Sequence, residues 1–217
     1  MNNLQAVIFD MDGVIIDSEP IYFKIQQKIF NQLGFSISEA EYDEFIGAGM
    51  HLMWQILKRN KNLEQSIEEL VNMNNETVYH SFKNLSTLSP MPYFKEFIEN
   101  CIDRKFKIAL ASSTAKRTIM AILKNLLIHD YFDVIVSGEE VELGKPSPDI
   151  FLTTAQRLNV NPDECLVIED STNGIKAARD AGMHCIGLRN ENYSNQDLSI
   201  ADIVLSNFNQ INQHLFK

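Results

Sequence analysis

The alternation of apolar and polar positions opens with an unbroken apolar run at Ala6 to Phe9, as expected of a short strand buried on both faces. Between residues 20 and 33 the period changes. Ile21, Ile25, Ile29, Phe30 and Leu33 recur at helical spacing, and Gly34 supplies a stop. Ser38 with Glu41, and Ser66 with Glu69, have the spacing of capping boxes that start two further helices. A helix over about residues 51–57 falls between them, so residues 19–86 carry helical signals alone. Pro90 and Pro92 mark residues 86–93 as a linker. Beyond it the two periods alternate. Strands are predicted at 107–111, 132–136, 165–168, 184–188 and 203–205, and helices at 114–127, 148–158 and 172–181, with Gly182 closing the last. Alternation of this kind predicts a doubly wound α/β fold, a parallel sheet with helices on both faces. Its α/β core is expected to comprise residues 1–17 and 90–217, with residues 18–89 inserted as an all-helical cap domain.

Composition narrows the function classes. At 45% hydrophobic residues, the 217-residue chain can bury a sizeable core. A formal charge of −10 argues against non-specific nucleic-acid binding, which needs a basic face, and a phosphate site would have to supply its own local positive charge. No apolar run reaches the ~18 residues of a membrane span, and the opening Met-Asn-Asn-Leu-Gln has no signal-type pattern. Cys101, Cys165 and Cys185 are far apart and flanked by apolar residues, as expected of buried, reduced thiols in a cytoplasmic protein. A monomer is the default, with no membrane or nucleic-acid partner.

Candidate chemistry concentrates at strand ends. The first strand runs into Asp10, with Asp12 two residues on and Gly13 free to turn sharply. Ser112 ends the second strand, Lys145 stands in Gly-Lys-Pro, and Glu169-Asp170 ends the fourth strand. Each has an ordinary alternative: a turn serine, a solvated loop lysine, an acidic pair complementing a helix dipole. In a parallel sheet, however, strand C-termini share one edge, where ligands bind. Together the groups fit phosphoryl transfer through an aspartyl intermediate. Mg²⁺ held by Asp10, Glu169 and Asp170 would neutralise the clustered carboxylates, and Lys145 would add a second positive charge. Ser112 and the amides of Ser113 and Thr114 at a helix N-terminus form an anion seat. Asp12 is left to protonate the leaving oxygen and then activate water.

Asp10-Met-Asp12-Gly-Val, Ala-Leu-Ala-Ser112-Ser, Gly-Lys145-Pro-Ser-Pro-Asp and Ile-Glu169-Asp170-Ser resemble, in order, the four motifs of the haloacid dehalogenase superfamily. The resemblance covers nearly the whole chain and is closest to the branch of sugar-phosphate phosphatases and β-phosphoglucomutase. It implies a Rossmann-like core and a helical cap. It also implies roles: Asp10 as nucleophile and metal ligand, and Asp12 as acid/base whose backbone carbonyl ligates Mg²⁺. Ser112 becomes the phosphate-binding hydroxyl, Lys145 the lysine steadying nucleophile and phosphoryl group, and Glu169 and Asp170 the acidic metal pair. Asp12 disfavours a dehalogenase, and no cap residue suits the Schiff-base lysine of a phosphonatase.

Within that branch the expected activity is Mg²⁺-dependent hydrolysis of a small phosphorylated metabolite, with β-phosphoglucomutase as the alternative. The mutase signature has a histidine shortly after the first motif, where this chain reads Asp-Ser-Glu-Pro-Ile-Tyr22. It also has a phosphate-clamping arginine in the cap loop, where this chain reads Gly47-Ala-Gly-Met50-His51. Met50, Met53 and Trp54 are expected in the core of a helical bundle. On the sharper reading the Gly-rich segment closes over the substrate, with Met50 and His51 lining the specificity surface. Lys116 and Arg117 lie either near the substrate or on a solvated face. A receiver-like or silent sensor role is disfavoured by the insertion and by the presence of both Asp10 and Asp12.

Overall fold

In the computed structural model, which describes residues 3–45, 49–190 and 196–216, the chain divides into two compact units. One comprises Met1–Asp17 with Thr87–Lys217, the other Ser18–Ser86. The discontinuous unit is built on strands β1 (Ala6–Phe9), β2 (Lys107–Ser112), β3 (Val134–Ser137), β4 (Cys165–Glu169), β5 (His184–Leu188) and β6 (Ile203–Leu205). They form one sheet in the order β3-β2-β1-β4-β5-β6, and every pairing is parallel. The four residues of β1 are all buried, as an apolar run between two neighbouring strands requires.

The helices of this unit are α5 (Phe94–Asp103), α6 (Lys116–Asn125), α7 (Asp149–Leu158), α8 (Thr172–Asp180) and α9 (Phe208–Leu215). Neither α5 nor α9 is among the helices expected above. In α5 the buried Phe94, Phe97, Ile98 and Cys101 keep helical spacing, and two of its rings pack edge-on against Phe9, at 5.5 and 6.0 Å between centroids. Phe208, the first residue of α9, joins the same aromatic cluster. Strand β3 starts two residues later than expected, because a short 3-10 turn at His129–Tyr131 precedes it.

The other unit contains only helices among its described residues: α1 (Glu19–Gln32), α2 (Glu39–Asp43), α3 (Met50–Lys61) and α4 (Ile67–Lys83). Both expected capping boxes are made. Glu41 N donates to Ser38 Oγ at 3.2 Å while Ser38 N donates to Glu41 Oε2 at 2.8 Å, and Ser66 with Glu69 repeats the exchange. Trp54 and Phe82 are fully buried and Met53 nearly so, with Trp54 edge-on to Phe30 at 5.8 Å. Met53 and Trp54 are therefore core. Cys101, Cys165 and Cys185 are free and buried, and no helix is long and apolar enough to cross a membrane among the described residues.

Candidate active site

Strand register brings the site together. Phe9 lies opposite Leu110 of β2 and Ile168 of β4, so one step further Asp10 stands between Ala111 and Glu169. Its amide is still held by the sheet, donating to Ile168 O at 3.0 Å. Lys145, arriving from the segment before α7, spans all three strands. Its Nζ donates to Ala111 O at 3.1 Å, to Asp10 Oδ1 at 2.6 Å and to Glu169 Oε1 at 2.7 Å. The three side chains are almost excluded from solvent, at 6% exposure for Lys145, 10% for Asp10 and 1% for Glu169. Phe151 of α7 lies beneath the ammonium at 5.0 Å.

The remaining predicted groups of this unit gather round that centre. Asp12 Oδ2 accepts from Thr114 Oγ1 at 2.7 Å, and Ser112 Oγ accepts from Thr114 N at 3.1 Å. Gly13 has φ +75, and a Cβ there would lie 1.8 Å from Asp170 Oδ2, so the Asp170 carboxylate rests directly on the turn after Asp12. A glycine is required at that point on both counts. Ser113 is exposed, with its backbone closed over by Gly138.

The anion seat differs from expectation. Helix α6 begins at Lys116, because Ala115 is extended at φ −57 and ψ 137. The Thr114 amide is committed to Ser112 rather than offered to a ligand. The first turn of α6 is already served by an acid, since Lys116 N donates to Glu139 Oε2 at 2.8 Å. Lys116 is a structural cation: Nζ bonds Ile135 O and lies 2.9 Å from Glu140 Oε2. Ser112, at 1% exposure, lies at the end of β2 beside this turn.

Electrostatics show what the centre lacks. Burial first, then Glu169 and Asp12, drive the Asp10 carboxyl up to about 7 against the pull of Lys145. Burial, Glu169 and Asp10 likewise hold Asp170 well above the usual carboxylate range. For Lys145, burial opposes the charge, but Asp10 and Glu169 outweigh it and hold the ammonium above its ordinary value. Lys145 thus pairs with two carboxylates, Asp10 and Glu169, while Asp170 and Asp12 add like charge nearby, so a further positive charge would be favourable there. An all-oxygen donor set on one sheet edge suits a hard cation such as Mg²⁺.

No three His, Cys, Asp or Glu side chains are grouped to clasp an ion among the described residues. Glu169 is already engaged at both oxygens. Its Oε1 is held by Lys145, and its Oε2 accepts from Ser171 N and Ser171 Oγ, both at 2.9 Å. Of the residues expected to hold a cation, Asp10 and Asp170 would offer side chains and Asp12 its carbonyl, while Glu169 also fixes Lys145 and the start of α8. Magnesium needs only one or two carboxylates, because it keeps several waters.

Met50 and His51 belong to the other compact unit. They begin α3 in the helical unit, Met50 half-buried and His51 exposed. Gly47 lies outside the described residues. Two contributors escaped the sequence reading, the Thr114 hydroxyl and Ser137, whose Oγ donates to Thr114 O at 2.7 Å.

A six-stranded parallel sheet with an aspartate–lysine–glutamate centre at its C-terminal edge defines an α/β fold with a buried charged site. The chain belongs to the haloacid dehalogenase-like hydrolases, whose family model matches residues 7–188. It is 36% identical over 183 residues to a phosphorylated carbohydrates phosphatase of Thermotoga maritima, covering 84% of each chain. It is 31% identical to the fructose-1-phosphate phosphatase of Escherichia coli, over 85% of this chain and 96% of that one. The β-phosphoglucomutase structure from Clostridium difficile superposes with a TM-score of 0.79 at 29% identity, over 96% of this chain and 93% of that one.

Proposed function

We propose that the protein is a Mg²⁺-dependent phosphatase that hydrolyses a sugar phosphate or similar small monoester through an aspartyl-phosphate on Asp10. The observation that carries this is Lys145 bridging Asp10 and Glu169 at 2.6 and 2.7 Å on the sheet edge. The ammonium pins one carboxylate oxygen of Asp10 and leaves the other to attack phosphorus. The same charge then lies beside the phosphoryl oxygens, with the Ser112 hydroxyl adjacent. As the Asp10 oxygen bonds to phosphorus, the ester P–O bond breaks and its electron pair goes to the leaving oxygen. Asp12 supplies that oxygen with a proton, releasing the alcohol. In the second half Asp12 takes a proton from water, the hydroxide attacks phosphorus, and the P–O bond to Asp10 breaks to give inorganic phosphate. Asp10, Asp170 and the Asp12 carbonyl would hold Mg²⁺, which when bound would supply the positive charge that lets two anions approach.

The β-phosphoglucomutase neighbour supports a second reading, in which the phosphoryl group returns to the sugar. Against it stands the helical unit, whose single arginine, Arg59, is at the far end of α3 from Met50 and His51. A bidentate clamp for a second phosphate has no residue at the expected place. Substrate choice is assigned to the helical unit and solution in the cytoplasm to the whole chain.

The test is turnover of a sugar-phosphate panel with Mg²⁺, including β-glucose 1-phosphate with a trace of the 1,6-bisphosphate, reading both free phosphate and glucose 6-phosphate. Phosphate release that disappears in Asp10→Asn is the expected result. Glucose 6-phosphate without free phosphate would replace the reading by the mutase, and release that persists in Asp10→Asn would remove the covalent intermediate.

A further inference from the structure

Thr114 is engaged through all three of its polar groups. Its amide donates to Ser112 Oγ at 3.1 Å, its carbonyl accepts from Ser137 Oγ at 2.7 Å, and its hydroxyl donates to Asp12 Oδ2 at 2.7 Å. Ser112 and Ser137 are a register pair of β2 and β3, and both are buried. The backbone of Thr114 is therefore anchored to two strands, and its side chain carries that rigidity to the loop after β1. From the sequence, this residue's amide is expected to take part in an anion seat, and nothing is assigned to its hydroxyl. It serves a carboxylate of the protein, which an anion-binding donor would not be expected to do.

We infer that Thr114 is a positioning residue for Asp12, fixing the direction in which that carboxyl faces so that its proton reaches the ester's leaving oxygen. The inference rests on the proposed acid/base role of Asp12. In the step it serves, Asp10 forms a bond to phosphorus, the P–O bond to the alcohol breaks, and the departing oxygen takes the Asp12 proton. A misdirected Asp12 slows that departure only where the leaving oxygen needs a proton. An alkoxide from a sugar does, whereas p-nitrophenolate leaves without one. A group that merely bound phosphate would affect both esters alike, because both present the same phosphoryl oxygens.

The experiment compares kcat/KM, which reports events up to leaving-group departure, on the hexose phosphate turned over fastest and on p-nitrophenyl phosphate. For Asp12→Asn we expect a loss of ~10²–10⁴-fold on the sugar ester and a much smaller loss on the aryl ester. Thr114→Val is expected to reproduce the selectivity with a loss of up to ~10²-fold on the sugar ester. Thr114→Ser, which keeps the hydroxyl, should restore the sugar ester to within about threefold of wild type, a small fraction of the ~10²-fold misplacement cost. Turnover of p-nitrophenyl phosphate by Thr114→Val also shows that the variant is folded. An equal loss on both esters, or none, overturns the inference and leaves Thr114 as a structural or phosphate-binding residue. If Asp12→Asn itself shows no selectivity, the acid/base reading fails first. Selectivity in Asp12→Asn but not in Thr114→Val sinks the positioning role alone.

Discussion

Gly174 lies inside α8, where alanine would ordinarily be the better helix former by about 1 kcal/mol. Here a Cβ would lie 1.7 Å from Glu169 Oε1, the oxygen that holds Lys145. Glu169 cannot swing aside freely, since its other oxygen is fixed by Ser171 and the side chain is 1% exposed. Gly174→Ala is therefore expected to lose about 1–3 kcal/mol of stability rather than gain any, and to lower turnover as Lys145 loses a partner. Urea denaturation with a parallel activity assay checks this, and a more stable, fully active variant would show that Glu169 is not fixed. The contrast with Asp10, Lys145 and Glu169 is instructive. Those residues were legible because several charged groups fall where strand C-termini of a parallel sheet share one edge. Gly174, Ser137 and the Thr114 hydroxyl were not, because each matters only through a contact that the folded backbone creates.

Among the elements, the 3-10 turn Gly138–Glu140 ties β3 to two helices through one carboxylate. Glu140 Oε2 accepts from Ser137 N at 2.8 Å and from Lys116 Nζ of α6 at 2.9 Å, and Oε1 accepts from Arg157 Nη1 of α7 at 2.6 Å. Partial burial opposes its charge, but the Ser137 amide, Arg157 and Lys116 outweigh it and lower the carboxyl from 4.5 to about 2. A depressed folded value means stability that is complete above about 4.5 and lost as pH falls toward 2. With the side chain 27% exposed, solvent screening reduces the contribution to about 1 kcal/mol. The stability gap between wild type and Glu140→Gln is thus expected to be full at pH 6–7 and to narrow steadily below about 4.5, as followed by urea melts across that range. A gap independent of pH would mean that the carboxylate's charge contributes nothing. Elements with an internal period or cap, such as the two capping-box helices and the buried strands, could be read directly. The start of α6 could not, because it depends on the Thr114 amide turning back to Ser112. Helix α5 carried a readable apolar stripe that the neighbouring prolines obscured, whereas α9 is short and owes its place to packing of Phe208 on Phe94 and Phe97.

For the molecule as a whole, the chain carries a net charge of −10, and at its buried centre Asp10 and Glu169 share one lysine while Asp170 and Asp12 add further like charge. Repulsion there is carried by the folded state and relieved on unfolding, so a cation binding at that centre should stabilise the fold. At a free Mg²⁺ concentration 100-fold above Kd, linkage gives about 2.7 kcal/mol. For a chain of 217 residues that corresponds to a Tm rise of roughly 5–10 °C. Screening of the overall charge would also raise Tm, but NaCl at matched ionic strength reproduces that part and can be subtracted. Asp170→Asn separates the two further, with effects of opposite sign. It removes one of the crowded like charges, so the metal-free variant should melt above the metal-free wild type. It also removes a cation ligand, so most of the Mg²⁺-specific rise should vanish. Thermal melts of both proteins in EDTA, NaCl and MgCl₂ read all of these terms without any assay of catalysis. Equal Mg²⁺ responses in the two proteins would place the cation away from Asp170. A metal-free Asp170→Asn less stable than wild type would mean that the carboxylate is held by favourable contacts rather than strained by its neighbours.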